Sequence, residues 1–327
     1  MRAMMLEQPG ELPGRMSLAE LPRPSPGPGE VLVEVAFAGC NFADTMTRRG
    51  TYPHPRSYPM VPGAEISGRI AAIGPGVTGL AAGDRVAATS EKAGGFAEFC
   101  LVPAYRVIPL PAAIGLDQGA AFPVQALTAW QMLHVVAKTL PGEVVLVHAI
   151  GGGVGLYLTQ LAVQAGATVI GTVGTRGKEK RALDLGATLV VNREEEDFVA
   201  AIERFMQGRG VDKIIDSTGG SILDRSFALI RQLGHVVSYG EAEGKPYANL
   251  WERLVRKSLT FTRFHLGHAD YASPDWQRGL DTVLGGIAEG RIQVPIEEVF
   301  ALEEAAAMYD RLESRQVAGK LLLRVGG

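Results

Sequence analysis

Only two cysteines, Cys40 and Cys100, occur in 327 residues. Two cannot build a disulfide framework, and they suit a reducing compartment. Net charge is scarce as well: 32 Lys and Arg against 35 Asp and Glu leave −3. That balance gives no electrostatic footprint for nucleic acid or an acidic membrane face. No apolar run approaches the roughly 20 residues that cross a bilayer, and no signal-like segment opens the sequence. A cytoplasmic protein is expected. The histidines His54, His134, His148, His235, His265 and His268 show no paired metal spacing. Structural or loop roles are expected for them. What remains, 46% apolar and 20% charged, is an ordinary globule with ample core. Its length suits two domains, or one large α/β unit with an appendage.

Glycine, by contrast, is plentiful at 41 residues, and one cluster of it carries the chemistry. Val144–Val147 is a short apolar run of the kind that forms a strand buried on both faces. Gly151, Gly152, Gly153 and Gly155 follow at once. Val154, Leu158, Leu161, Ala162 and Ala165 then recur with helical spacing. Strand, glycine turn and helix in that order make a phosphate site, because the helix start aims unpaired N–H groups and positive partial charge at the turn. Thr168–Val173 supplies the second strand of a βαβ unit. The glycine spacing departs from G-x-G-x-x-G in one place: Ile150 stands where the first glycine belongs.

The end of that second strand selects the dinucleotide. A site for NAD usually has Asp or Glu about 20 residues past the glycines, accepting from the ribose 2′-OH. Here Gly171-Thr172-Val173-Gly174-Thr175-Arg176-Gly177-Lys178 holds no acid and two cations. Thr175, Arg176 and Lys178 can bind a 2′-phosphate, and Arg193, after the next strand, can add a guanidinium. The residues therefore point to NADP(H). The alternative is that these cations are solvated residues at a helix start.

Residues 1–122 alternate short β-like runs (Val31–Phe37, Ile66–Ile73, Arg85–Thr89, Phe96–Val102) with Pro/Gly punctuation. The spacing predicts an irregular, partly antiparallel β domain interrupted by a helix at Ala43–Arg49. From about Val124 the texture turns α/β. Strands are expected at Val144–Val147, Thr168–Val173, Thr188–Val191, Lys213–Asp216, Val236–Tyr239 and Ser258–Thr262. That series with helical crossovers fits a doubly wound parallel sheet of the Rossmann kind. Helices at Trp276–Glu289 and Glu303–Ser314 and a strand at Lys320–Arg324 follow; they cannot extend the parallel sheet and are expected to return to the first domain.

In this order the pieces resemble the medium-chain dehydrogenase/reductase superfamily, and within it the zinc-independent quinone oxidoreductases (NADPH:quinone reductases, ζ-crystallin-like). The resemblance runs nearly end to end. Its segments are Asn41-Phe42-Ala43-Asp44, Gly50-Thr51-Tyr52-Pro53, Pro62-Gly63-Ala64-Glu65-Ile66-Ser67-Gly68, Ala82-Gly83-Asp84-Arg85-Val86, the glycine turn, Asp216-Ser217-Thr218-Gly219 and Leu312-Glu313-Ser314-Arg315. It implies a GroES-like catalytic domain over 1–122 plus 266–327 and a Rossmann NADP-binding domain over 123–265. Zinc-bearing relatives have cysteine where this chain has Asn41 and histidine where it has Ala64. Two cysteines also cannot furnish their four-cysteine lobe, so no metal site is expected.

Carried over by position, the resemblance sets Asn41 near nicotinamide and substrate, and Thr128 at the nicotinamide end. It sets Gly152, Gly153 and Val154 against the pyrophosphate, and Thr175, Lys178 and Arg193 against the 2′-phosphate. Tyr239, Gly240, Phe264 and Leu266 would line the cofactor, and Arg315 would reach it from the C-terminal segment. Tyr52 stands in a context where enoyl-thioester reductase relatives use a tyrosine to protonate or stabilise an enolate; the other reading has it packing a loop. Asp44 is expected to cap or brace the Ala43–Arg49 helix rather than perform chemistry. Relatives often carry tyrosine where this chain has Met46, which opens the choice of acceptor. They often carry it also at Arg193, where charge favours the NADP reading.

Without a Lewis acid, hydride transfer suits acceptors that delocalise their own negative charge, such as quinones and conjugated carbonyls. The expected activity is NADPH-dependent reduction of a quinone or similar electrophile. Two alternatives stand beside it: an enoyl or 2-alkenal C=C reductase, and a catalytically idle NADPH-binding crystallin-like protein. A homodimer is implied by the resemblance, with a small-molecule acceptor as partner and neither nucleic acid nor membrane.

Overall fold

The computed structural model describes residues 1–10, 15–54, 56–90, 92–243 and 249–326. In chain order the strands are β1 (Arg2–Leu6), β2 (Met16–Glu20), β3 (Glu30–Cys40), β4 (Glu65–Ile73), β5 (Arg85–Thr89), β6 (Phe99–Pro103) and β7 (Val107–Pro109). There follow β8 (Val144–His148), β9 (Thr168–Val173), β10 (Leu189–Asn192), β11 (Val211–Asp216), β12 (Ile230–Ser238), β13 (Thr260–Arg263), β14 (Ile296–Ala301) and β15 (Lys320–Arg324). The α-helices are α1 (Phe42–Arg49), α2 (Leu116–Gly119), α3 (Pro123–Trp130), α4 (Gly153–Gln164) and α5 (Glu179–Asp184). After them come α6 (Phe198–Met206), α7 (Gly220–Ser226), α8 (Leu250–Val255), α9 (Pro274–Ala288) and α10 (Ala305–Glu313).

Two compact units divide the chain: Met1–Val124 with Asp281–Gly327, and Gln125–Leu280. In the first, β14-β15-β3-β4-β5-β7 form a seven-stranded sheet, with β6 also paired to β3. All its pairings are antiparallel except β14 with β15. β3 is flanked on several sides, so Val31, Leu32, Val33 and Val35 are all buried rather than alternating. Val31, Val33 and Val35 make the core with Ile66, Ile70, Val86, Val102, Met308, Tyr309, Leu321 and Leu323. Each buried aliphatic side chain contributes about 1.5–3 kcal/mol relative to exposure.

The second unit carries a six-stranded, all-parallel sheet in the order β10-β9-β8-β11-β12-β13. Renumbered from β8 this is the 3-2-1-4-5-6 order of the doubly wound dinucleotide fold. Val144, Leu146, Ile170, Ile202, Ile214, Leu223 and Val236 fill its core. β12 begins at Ile230, ahead of the expected Val236, because Leu233 takes a left-handed φ of 59° and interrupts the apolar pattern. β14 escapes a reading by hydrophobic pattern because Glu297 and Glu298 sit inside it. The division after Leu280 falls within α9, where Gly279 lies against the Trp130 ring and an added Cβ would stand 2.7 Å from it. Among the described residues, no helix is long and apolar enough to cross a membrane.

Candidate active site

β8 is buried along its whole length and lies between β9 and β11, so its C-terminal end is the midpoint of the parallel sheet. Ligands of such sheets bind beyond that end. Ala149 there adopts φ 53°, and Gly152 caps α4 with φ −85° and ψ 169°. Gly152, Gly153 and Val154 are all partly exposed, so the positive end of α4 is open to an anion. Ile150, the departure from the glycine pattern, is fully buried. Its room comes from the neighbouring strand, since a Cβ on Gly171 would lie 2.5 Å from Ile150 Cδ1. The missing glycine is thus compensated in β9.

One residue here carries a signal that the sequence reading passed over. Gln125, 7% exposed, has a side-chain oxygen with no hydrogen-bond partner among the described residues. Its amide lies on Gly153: a Cβ there would stand 2.1 Å from Oε1. Leaving a buried amide oxygen unpaired costs about 1–3 kcal/mol, and a ligand at the helix start would relieve it. Gln125 precedes Thr128 by one helical turn on α3, so the i, i+3 spacing could have revealed it. The orphaned amide and the glycine cradle both fit a dinucleotide.

The structure brings Thr175, Lys178 and Arg193 to the end of β9. Lys178 caps α5, and a Cβ on Gly151 would touch its Cβ at 2.8 Å, so Lys178 stands directly on the glycine turn. Arg193 lies over Gly174 and donates from Nη1 to Thr172 Oγ1 at 2.6 Å. Arg176 is turned to Glu195 at 2.7 Å. Glu179 is engaged by the Gly177 N–H at 2.7 Å and Asn192 Nδ2 at 2.9 Å.

Arg193 is the outer end of an ordered interior chain. Ser226 Oγ donates to the Ile222 carbonyl at 2.6 Å, so it must accept from His148 Nε2 at 2.7 Å. His148 is then the Nε2–H tautomer, and Nδ1 accepts from Thr172 Oγ1 at 2.8 Å. Burial first, and Arg193 second, push the His148 imidazole down to about 3. It stays neutral, as an internal strut.

The remaining expected residues of this unit lie at neighbouring strand ends. Asp216 closes β11 by accepting from Thr218 N–H at 3.1 Å, Thr218 Oγ1 at 2.6 Å and Gly219 N–H at 2.8 Å. Burial raises its carboxyl even so. Tyr239 follows β12, its N–H on the Asp216 carbonyl at 2.9 Å, and Gly240 lies against Ser217. Phe264 follows β13 and donates its N–H to the Ser238 carbonyl at 2.8 Å, with Leu266 just beyond. Thr128 is buried on α3.

Asn41, Tyr52 and Arg315 belong to the other unit. Asn41 follows β3 and caps α1, and its N–H donates to Asp44 Oδ2 at 2.8 Å. Its side chain does not cap. Nδ2 donates to Glu65 Oε2 at 3.0 Å, and Oδ1 accepts from Lys320 Nζ at 2.7 Å. Lys320 also pairs with Glu65, both fully buried. Glu65 Oε1 accepts the Val124 N–H at 2.8 Å. Burial pushes the Asp44 carboxyl up to about 6, against the Asn41 N–H and the Lys320 charge. Tyr52 is half-buried beside His54, rings 5.5 Å apart, with the Arg56 guanidinium 5.3 Å from its ring centre. Burial raises its phenol, opposed by Arg56, so it keeps its proton at neutral pH. Arg315 is exposed after α10, in left-handed backbone at φ 61°.

Among the described residues no three His, Cys, Asp or Glu side chains gather as a metal group. The space beside Asn41 and Glu65 is filled by the Lys320 ammonium. Burial holds the Cys40 thiol well above its usual range, hence neutral.

Sheet order, glycine turn and open helix start define a dinucleotide-binding oxidoreductase fold, in a chain that also folds a β-rich unit. Comparison with known proteins agrees. Residues 27–112 match the alcohol dehydrogenase GroES-like domain and residues 153–284 the zinc-binding dehydrogenase family. Quinone oxidoreductase 1 of Escherichia coli K12 is 34% identical over 314 residues, 95% of this chain and 96% of that protein. A 2-haloacrylate reductase of Burkholderia is 34% identical over 306 residues, 91% of this chain and 92% of that one. The crystal structure of the Escherichia coli quinone oxidoreductase with NADPH superposes with a TM-score of 0.94 at 33% identity, covering 99% of this chain and all of that one. The chain belongs to the quinone oxidoreductase family of medium-chain dehydrogenases/reductases.

Proposed function

We propose that this protein is an NADPH-dependent reductase that transfers hydride, without a metal, to a quinone or similarly conjugated electrophile. The observation that carries the reading is the end of β9, where Thr175, Lys178 and Arg193 converge while Glu179 and Glu195 are engaged elsewhere. A 2′-phosphate would find cations there, while the neighbouring Glu179 and Glu195 carboxylates are already engaged by protein groups. Bound NADPH supplies a hydride. The start of α4, with Gly152, Gly153, Val154 and Gln125, would hold the pyrophosphate. Thr128, Tyr239, Gly240, Phe264, Leu266 and Arg315 would hold the rest of the cofactor, as their positions in the family imply. Asn41 would donate from Nδ2 to the acceptor oxygen or a ribose hydroxyl. With Asn41 and Ala64 at the positions of zinc ligands, no Lewis acid polarises the acceptor. The acceptor must therefore delocalise its own charge.

A panel of quinones, enones and enals assayed with NADPH and with NADH tests this. Fast NADPH oxidation with quinones and slow NADH oxidation are expected; equal rates with both cofactors would contradict the 2′-phosphate assignment. Tyr52 supports a second reading, reduction of activated C=C bonds, because its protonated phenol can deliver a proton. Similarity to a 2-haloacrylate reductase points the same way. Tyr52→Phe separates the two: loss of alkene reduction with quinone reduction intact favours the second.

A cytoplasmic homodimer belongs to the same proposal. β13 is a sheet edge, and Leu233, Trp251 and Val255 are 72%, 75% and 59% exposed in the same unit. An open edge of that kind invites pairing with a second copy. Light scattering at the monomer mass would contradict it.

A further inference from the structure

We infer that Lys320 is the positioning residue of the acceptor end: its buried ammonium locks the Asn41 side chain so that one amide N–H faces outward. This rests on the proposed role of Asn41 as a donor. An ammonium only donates, so Asn41 Oδ1 must face Lys320 Nζ, 2.7 Å away. An ionised carboxylate only accepts, so Nδ2 must face Glu65 Oε2, 3.0 Å away. Turning the amide over would set NH₂ against NH₃⁺ and C=O against a carboxylate. Chemistry therefore fixes the orientation. One Nδ2 hydrogen is used by Glu65, and the second has no partner among the described residues.

The lock has no slack. Glu65 Oε2 takes Asn41 and Lys320, and Glu65 Oε1 takes the Val124 N–H. Lys320 and Glu65 are both 0% exposed, so water does not screen the pair. Pulled on by the ammonium, the amide oxygen withdraws charge from nitrogen and makes the outward N–H a stronger donor.

The backbone is built around this ammonium. β15 pairs with β3 so that Leu321 faces Cys40, which brings Lys320 level with Asn41. A one-residue slip would turn Lys320 to the opposite face. Gly39 leaves the passage open: a Cβ there would lie 2.7 Å from Lys320 Cε, 2.9 Å from Glu65 Oε2 and 2.2 Å from the Ala120 carbonyl. The buried cation thus works through the asparagine.

The test removes both charges together, Lys320→Met with Glu65→Gln, so that no unpaired charge remains buried. In the folded variant, kcat for the acceptor should fall roughly tenfold to hundredfold, as for a displaced donor. Adding Asn41→Ala to this background should cost nothing more, although Asn41→Ala alone lowers kcat as much. An unchanged kcat in the double variant, or a full further loss on adding Asn41→Ala, would overturn the proposal. The ¹⁵N side-chain amide signal of Asn41 gives a readout without turnover. In wild type its shifts should stand apart from those of a solvated asparagine and its Glu65-bonded proton should exchange slowly with water; in the double variant both should move to solvated values. The same signal in both would overturn the proposal. A wild type that binds NADPH but reduces no acceptor would refute the proposed activity, with the amide signal still deciding the role of Lys320.

Discussion

The glycine turn of the nucleotide unit and the Asn41 cluster of the β-rich unit are assembled by opposite means. The turn is made by backbone and by residues close in sequence: Ala149 in left-handed conformation, Gly152 as cap, and an open helix start. The cluster is made by side chains 24 to 279 positions apart, joined by charge inside a dry core. A site of the first kind tolerates change in any one side chain, because N–H groups and the helix dipole do the binding. A site of the second kind fails at a single substitution.

The largest effect should therefore come from Lys320→Met alone. It strands Glu65 as a buried unpaired carboxylate, and breaking such a pair costs about 3–5 kcal/mol. Urea unfolding should show it, and Glu65→Gln in the same chain should recover part of the loss. A loss below about 1 kcal/mol would put the pair in contact with water.

Next in size is an acid effect in the nucleotide unit. His148 stays neutral in the fold down to about 3, while the unfolded chain protonates it near 6.5. Its contribution is complete above 6.5 and is lost as pH falls toward 3. By pH 4 about 3 kcal/mol should be gone. His148→Gln should flatten that acid limb, and an unaltered limb would contradict the neutral strut.

Lys178→Ala follows, removing one charge-assisted contact worth about 1.5–3 kcal/mol. The KM for NADPH should rise roughly tenfold or more, with that for NADH nearly unchanged. Equal rises would mean that Lys178 supports the turn rather than the 2′-phosphate. The smallest effect is expected for Gln125→Leu. It removes an amide oxygen that finds no partner among the described residues, so cofactor affinity should fall a few-fold while thermal stability holds or rises. A fall in stability with affinity unchanged would remove Gln125 from the cofactor site.

The same contrast governs what could be read from the chain. The βαβ order, the glycine turn and the cations after Thr172 stand within about forty residues, and local spacing exposes them. Thr168–Val173 and Lys320–Arg324 appear as strands with the limits expected from their apolar runs. Ile150 breaks the glycine rule, and its remedy lies across the sheet at Gly171, where no linear pattern looks. Arg176 has the right charge and position, yet it is turned to Glu195. Asn41 is legible through family likeness. Lys320 is not, because inside an apolar strand it reads as an ordinary exposed edge residue, and only the pairing of β15 with β3 buries it beside Glu65.

Hydride delivery from NADPH without metal assistance is tested by metal content measured together with turnover. Protein dialysed against a strong chelator should hold well under one zinc per chain and keep its full rate of quinone-dependent NADPH oxidation. Stoichiometric zinc whose removal abolishes that rate, and whose return restores it, would contradict the claim.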